Sequence, residues 1–102
     1  MTDEQTNPEE TTETITRVDE RNRYILTVDG EEAGYIEFDD MGDVIDMPHT
    51  VVDERFGGRG YGGLLVKHAL DDARERGMKV EPTCPYIDRW IEKHPDYEDL
   101  RA

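Results

Sequence analysis

Residues 52–63 read Val52-Asp53-Glu54-Arg55-Phe56-Gly57-Gly58-Arg59-Gly60-Tyr61-Gly62-Gly63. Five of the seven residues from Gly57 to Gly63 are glycine. Glycine lets backbone approach a ligand closely, and a helix start offers free N–H groups and the positive end of a dipole. A phosphate group is the natural guest. The plain alternative is a loop whose glycines serve only turn geometry.

The flanks show what this loop connects. Upstream, residues 44–52 alternate as a strand that places Ile45, Met47, His49 and Val51 on one face. Pro48 within it signals an edge or a bulge, because proline donates no ladder hydrogen bond. Downstream, Gly62, Leu65, Val66, Ala69, Leu70 and Ala73 recur at helical spacing, which predicts a helix over 61–76 ended by Gly77. A short strand at 78–83 follows. Pro85 then opens a second helix that runs to about Lys93 and stops at His94-Pro95.

Before the loop, residues 23–29 and 33–39 read as two more strands, joined at Asp29-Gly30, a hairpin signal. Tyr24, Leu26 and Val28 share one face of the first; Gly34, Ile36 and Phe38 share one face of the second. The order is three meandering strands, helix, strand, helix. A strand–helix–strand crossover implies parallel pairing. The fold class is therefore α+β or α/β. It is a mixed sheet with an antiparallel N-terminal meander, one β-α-β unit that carries the loop, and a C-terminal helix.

At 102 residues the chain suits one domain. Residues 1–14 are polar and acidic without periodicity and are expected to be a disordered tail, with the domain over 15–102. Acidic residues number 26 against 12 basic ones, for a net charge of −14. That argues against nucleic acid and against an anionic membrane surface as partners. No apolar run approaches the ~18 residues of a membrane span, and Met1-Thr2-Asp3-Glu4 lacks a signal-peptide pattern. One cysteine, Cys84, excludes an intramolecular disulfide. The expected location is cytoplasmic. The carboxylate excess, with only three lysines, reads as adaptation to a salt-rich cytoplasm or as an ordinary acidic surface. An open edge strand leaves monomer and homodimer both possible. Three separated histidines and one cysteine lack metal-ligand spacing, so no metal site is expected.

Two phosphate-binding patterns compete. Gly58, Gly60 and Gly63 satisfy G-x-G-x-x-G, and Glu81 follows at about the ~20-residue spacing of a dinucleotide fold. One β-α-β unit after an antiparallel meander is too little for that fold. A P-loop is excluded because no Gly-Lys-Ser/Thr occurs.

The run from Val52 through Gly58-Arg59-Gly60-Tyr61-Gly62 to Leu64-Leu65 resembles the signature of the GCN5-related N-acetyltransferase superfamily. More narrowly, His49-Thr50-Val51-Val52, Thr83-Cys84-Pro85-Tyr86 and His94-Pro95-Asp96-Tyr97 resemble its small acetyltransferase-like family, over residues 15–100. The resemblance implies an acetyl-coenzyme A-dependent N-acetyltransferase acting on an unknown amine acceptor. It also implies that Gly58, Arg59, Gly60, Tyr61, Gly62 and Gly63 hold the pyrophosphate, and that the strand edge at Val51 and Val52 pairs with the pantetheine arm. Gly57 stands where the superfamily usually has Gln or Arg; Arg55 or Arg59 could compensate.

Cys84, His49 and Tyr86 are the candidate catalytic residues. In one mechanism His49 deprotonates Cys84, which carries the acetyl group. In the other an amine attacks directly, with His49 as base and Tyr86 or Cys84 as acid. Against these stand a cysteine that is a small buried hydrophobe and a structural histidine. His68 is expected at the surface and His94 at a helix end. In the superfamily's larger members N-terminal helices build the acceptor site; here one strand is expected to run almost directly into the next, so the resemblance implies an acceptor site that is open or completed by another chain. A domain that binds the cofactor without turnover is the alternative function.

Overall fold

Asp29 and Gly30 both take positive φ, 51° and 86°, so the tight turn read from Asp29-Gly30 forms and closes the hairpin of the strands that flank it. The structure is a computed structural model that describes residues 11–102. The tail expected over 1–14 lies outside the described residues as far as residue 10. Strand β1 (Glu13–Val18) opens the sheet, followed by β2 (Arg23–Val28), β3 (Glu31–Asp40) and β4 (Val44–Val52). Helix α1 (Tyr61–Glu75) crosses to β5 (Lys79–Glu81), and helix α2 (Pro85–Glu92) leads to a closing 3-10 turn.

The sheet order is β1-β2-β3-β4-β5, antiparallel up to β4 and parallel between β4 and β5. The mixed sheet and the β-α-β unit follow the sequence reading. The meander, however, has four strands rather than three. On β1, Arg17 pairs with Tyr24 across the ladder and Ile15 pairs with Leu26. Its inward positions are thus Glu13, Ile15 and Arg17, only one of them apolar. Arg17 is accommodated because its guanidinium lies 4.3 Å from the Phe38 ring centre and 2.8 Å from Asp40.

Both helices pack on one face of the sheet. One contiguous core joins Tyr24, Leu26 and Ile36 of the meander to Leu65, Val66 and Leu70 of α1 and Ile87 and Ile91 of α2. The other face carries Arg23, Tyr35, Glu37, His49 and Val51. There the Arg23 guanidinium lies 3.9 Å from the Tyr35 ring centre.

The decisive local feature is a bulge in β4. Asp46 pairs with Asp39, but His49 pairs with Glu37, so β4 has one residue more than β3 between these pairs. Pro48 sits inside that interval, where a missing N–H is tolerated. Ile45 and Met47, before it, are fully buried against the helices. Beyond it the alternation slips by one: Thr50 and Val52 face the helices, while His49 and Val51 turn to the other side.

Candidate functional site

Strands β4 and β5 pair only over Val44–Lys79, Ile45–Val80 and Asp46–Glu81. One further bond, Cys84 N–H to the Met47 carbonyl at 2.9 Å, closes the base of a gap. Above it the two chains part. Asp53 N–H donates to the Ala33 carbonyl at 2.8 Å. Period two then aims the backbone of Val51 at β3 and that of Thr50 and Val52 into the gap. The unpaired edge therefore belongs to Thr50 and Val52. Val51, expected from sequence on this edge, has its backbone in the β3 ladder and its side chain on the opposite face. The one-residue slip at Pro48 is the reason.

The gap opens onto a cleft of about 380 Å³ lined by Thr50, Val52, Phe56, Gly58, Gly60 and Tyr86, among others. Gly58 and Gly60 take φ of 77° and 80°, values L side chains rarely adopt. Gly60 is the residue preceding α1, and Leu64 N–H makes the helix's first bond back to its carbonyl at 3.1 Å. The N–H groups of Tyr61, Gly62 and Gly63 thus have no acceptor within the helix. Of these residues, Tyr61 and Gly62 line the cleft, and no carboxylate among the described residues does, a setting that fits a diphosphate. The sequence reading of Gly58, Arg59, Gly60, Gly62 and Gly63 as loop and helix start matches this geometry. Tyr61 contributes only backbone: its ring is buried and its hydroxyl donates to Glu13 at 2.9 Å.

Tyr86, on the first turn of α2, lies across the first turn of α1. A Cβ added at Gly62 would meet the Tyr86 hydroxyl at 2.8 Å. The phenol is 42% exposed and forms one wall of the cleft. Trp90 follows one turn later, its indole Nε1 3.4 Å from a Cβ built at Gly63.

Cys84 precedes α2 and is 6% exposed, within the core. Its thiol donates to the Thr50 hydroxyl at 3.5 Å. Its neighbour across the gap is therefore Thr50 and not His49. The histidine is exposed on the other face of β4, opposite Glu37, and its imidazole takes part in no hydrogen bond or ion pair among the described residues. A Cys84–His49 nucleophile-and-base pair is not assembled here. Thr50 was missed in the sequence because strict alternation turns it outward; counting Pro48 as a bulge would have turned it in.

Just after β4, the backbone N–H of Arg55 and then its guanidinium hold the Asp53 carboxyl below the usual carboxylate range. Arg55 is tied to Asp53 at 3.2 Å and Glu31 at 3.4 Å. A second cleft, about 320 Å³, lies between β1 and α1. Its charged groups are already engaged: Lys67 with Asp71 at 2.9 Å, and Glu13 with Tyr61. His68 is exposed there. His94 ends α2 as expected, its Nδ1–H donating to the Trp90 carbonyl at 2.6 Å.

A mixed sheet that parts between two parallel strands, with a glycine loop and helix start in the opening, defines the acetyltransferase fold class. The chain belongs to the GCN5-related N-acetyltransferase family, whose model matches residues 23–100. It is 36% identical over 52 residues to Protein NATD1 of Gallus gallus, a match covering 51% of this chain and 47% of that protein. The match thus spans about half the length of the curated relatives. The solution structure of a GCN5-like protein from Staphylococcus aureus superposes with a TM-score of 0.67 at 24% identity, over 87% of both chains. N-acetylglutamate synthase from Neisseria gonorrhoeae, solved with coenzyme A and N-acetyl-glutamate, superposes with a TM-score of 0.54 at 20% identity. That match covers 76% of this chain and 22% of the synthase. At these identities the superpositions speak for the fold alone.

Proposed function

We propose that this protein is an acetyl-coenzyme A-dependent N-acetyltransferase that passes the acetyl group directly to an amine. The carrying observation is the unpaired Thr50–Val52 edge running into the amide-lined start of α1 beside Cys84 and Tyr86. When bound, acetyl-coenzyme A supplies an activated thioester. The N–H groups of residues 60–63 hold its diphosphate, and the backbone of Thr50 and Val52 pairs with the arm as an added strand. Tyr86 walls the cleft and is placed to give a proton to a departing thiolate.

Burial of Cys84 favours direct transfer over an acyl-enzyme. A thiol 6% exposed, with its hydrogen donated to Thr50, is enclosed as a core side chain is. His49, on the other face, remains a candidate base for an amine that approaches from that side. A cytoplasmic location and a salt-rich one belong to this reading through the charge of −14 and the single cysteine.

Intact mass spectrometry after incubation with acetyl-coenzyme A, native and denaturing in parallel, tests this. Binding in the native spectrum with no acetyl mass after denaturation is expected, along with thiol release when an amine panel is added. A retained acetyl mass lost in Cys84→Ala would replace direct transfer with the covalent route. Binding with no thiol release for any amine would leave a cofactor-holding module. Saturable NAD binding without coenzyme A affinity would sink the family-based reading of the loop.

A further inference from the structure

We propose that Arg59 reads the 3′-phosphate of coenzyme A and so makes the loop selective for the full nucleotide. The inference rests on the cofactor reading above. Its starting point is charge. In a chain with 26 acidic residues, an exposed guanidinium ordinarily finds a carboxylate. Of the nine arginines, only Arg59 and Arg89 meet none among the described residues. Arg55, in the same loop, is spent on Asp53 and Glu31. Among the described residues Arg59 meets no carboxylate because its neighbours on both sides are glycines and no acidic residue occurs from Phe56 to Lys67.

Arg59 is also held near the cleft. Its guanidinium carbon lies 5.6 Å from the Phe56 ring centre, and Phe56 lines the cleft with Gly58 and Gly60. The Arg55 guanidinium lies 5.2 Å from the same ring centre.

The third phosphate follows from connectivity. The thioester end belongs at Thr50 and Cys84, and the diphosphate belongs at the amides of residues 60–63. The ribose and its 3′-phosphate are attached beyond the diphosphate, so they fall on the outer side of the loop. There the amides are used and Arg59 is the available cation. A planar guanidinium binds a phosphate monoester through two parallel hydrogen bonds, a contact an ammonium or an amide does not reproduce.

Calorimetry at constant ionic strength, with coenzyme A and 3′-dephospho-coenzyme A as probes, decides it. The proteins are the full chain, Arg59→Gln, and Arg89→Gln, which removes the same charge outside the loop. The unaltered chain should bind coenzyme A about tenfold tighter than the dephospho form, the scale of one charge-assisted contact. Arg59→Gln should bind both equally, at the dephospho level, and Arg89→Gln should keep the preference. Equal affinity in the unaltered chain, a preference surviving in Arg59→Gln, or an equal loss in Arg89→Gln overturns the role of Arg59 and leaves the cofactor site standing. Binding of neither probe overturns both.

Discussion

At the scale of single residues, the site depends on absences and on buried hydroxyls. Gly62 has no Cβ, and one built there would stand 2.8 Å from the Tyr86 hydroxyl. The atom it meets is the far end of an exposed side chain, so Tyr86 can swing aside at little cost. Replacing a helical glycine by alanine also contributes up to about 1 kcal/mol to stability. Gly62→Ala should therefore hold or raise the melting temperature while weakening coenzyme A binding. Paired thermal melts and calorimetry read both, and an unchanged affinity would show that Tyr86 is no wall of the site. Tyr24 is the converse case. Its buried hydroxyl donates to Asp72 at 2.7 Å, and burial, then Asp72, push the phenol well above its usual range. A group raised in the folded state contributes stability that is complete below its unfolded value, about 10 for tyrosine, and is lost as pH rises through the folded value. Urea melts from pH 8 to 11 should show stability falling above about pH 10, with a shallower fall in Tyr24→Phe. That variant should start about 1 kcal/mol lower, because Asp72 loses a donor while keeping Arg76 at 2.8 Å.

At the scale of elements, β4 carries the argument. Its bulge at Pro48 aims Thr50 and Val52 into the gap and His49 and Val51 away. Pro48→Val restores a ladder donor and permits unbroken alternation from Met47. Hydrogen exchange should then invert: the amides of His49 and Val51, slow in the unaltered chain, become fast, and those of Thr50 and Val52 become slow. Coenzyme A affinity should fall with them. If the exchange pattern is the same in both proteins, Pro48 does not hold the bulge. The same element marks what the sequence could tell. The bounds of β4, the loop and the first residue of α1 were readable because β-branched alternation, a glycine run and a helical stripe each have a distinct period. The faces beyond Pro48 were not, because a one-residue insertion inverts them without changing composition. Strand β1 was also hidden. Its inward side carries Glu13 and Arg17 beside Ile15, and Arg17 is supported by Phe38 and Asp40, groups distant in sequence.

At the scale of the whole molecule, charge is the dominant fact, and it makes salt the informative variable. Salt acts in two opposite ways. It weakens ion pairs, but several here, such as Arg21–Glu32 and Arg74–Asp99, join two exposed partners, and such pairs contribute about 0–1 kcal/mol each. It also screens repulsion among carboxylates that exceed cations by 14. That repulsion acts across the whole surface at low ionic strength, where the Debye length is about 30 Å at 0.01 M, and shrinks to contact range at about 1 M. The molecule's extents of 50 × 28 × 23 Å place most surface charges within the longer distance of one another and outside the shorter one. Relief of repulsion should therefore outweigh lost ion pairs. The melting temperature should rise as potassium chloride goes from about 0.01 M to about 1 M, and continue upward beyond that only if the surface is adapted to a salt-rich cytoplasm. A circular dichroism melt series reads both parts. A plateau above about 1 M would leave ordinary screening as the explanation and remove the salt-adapted reading, while a fall with added salt would mean that the ion pairs outweigh the repulsion.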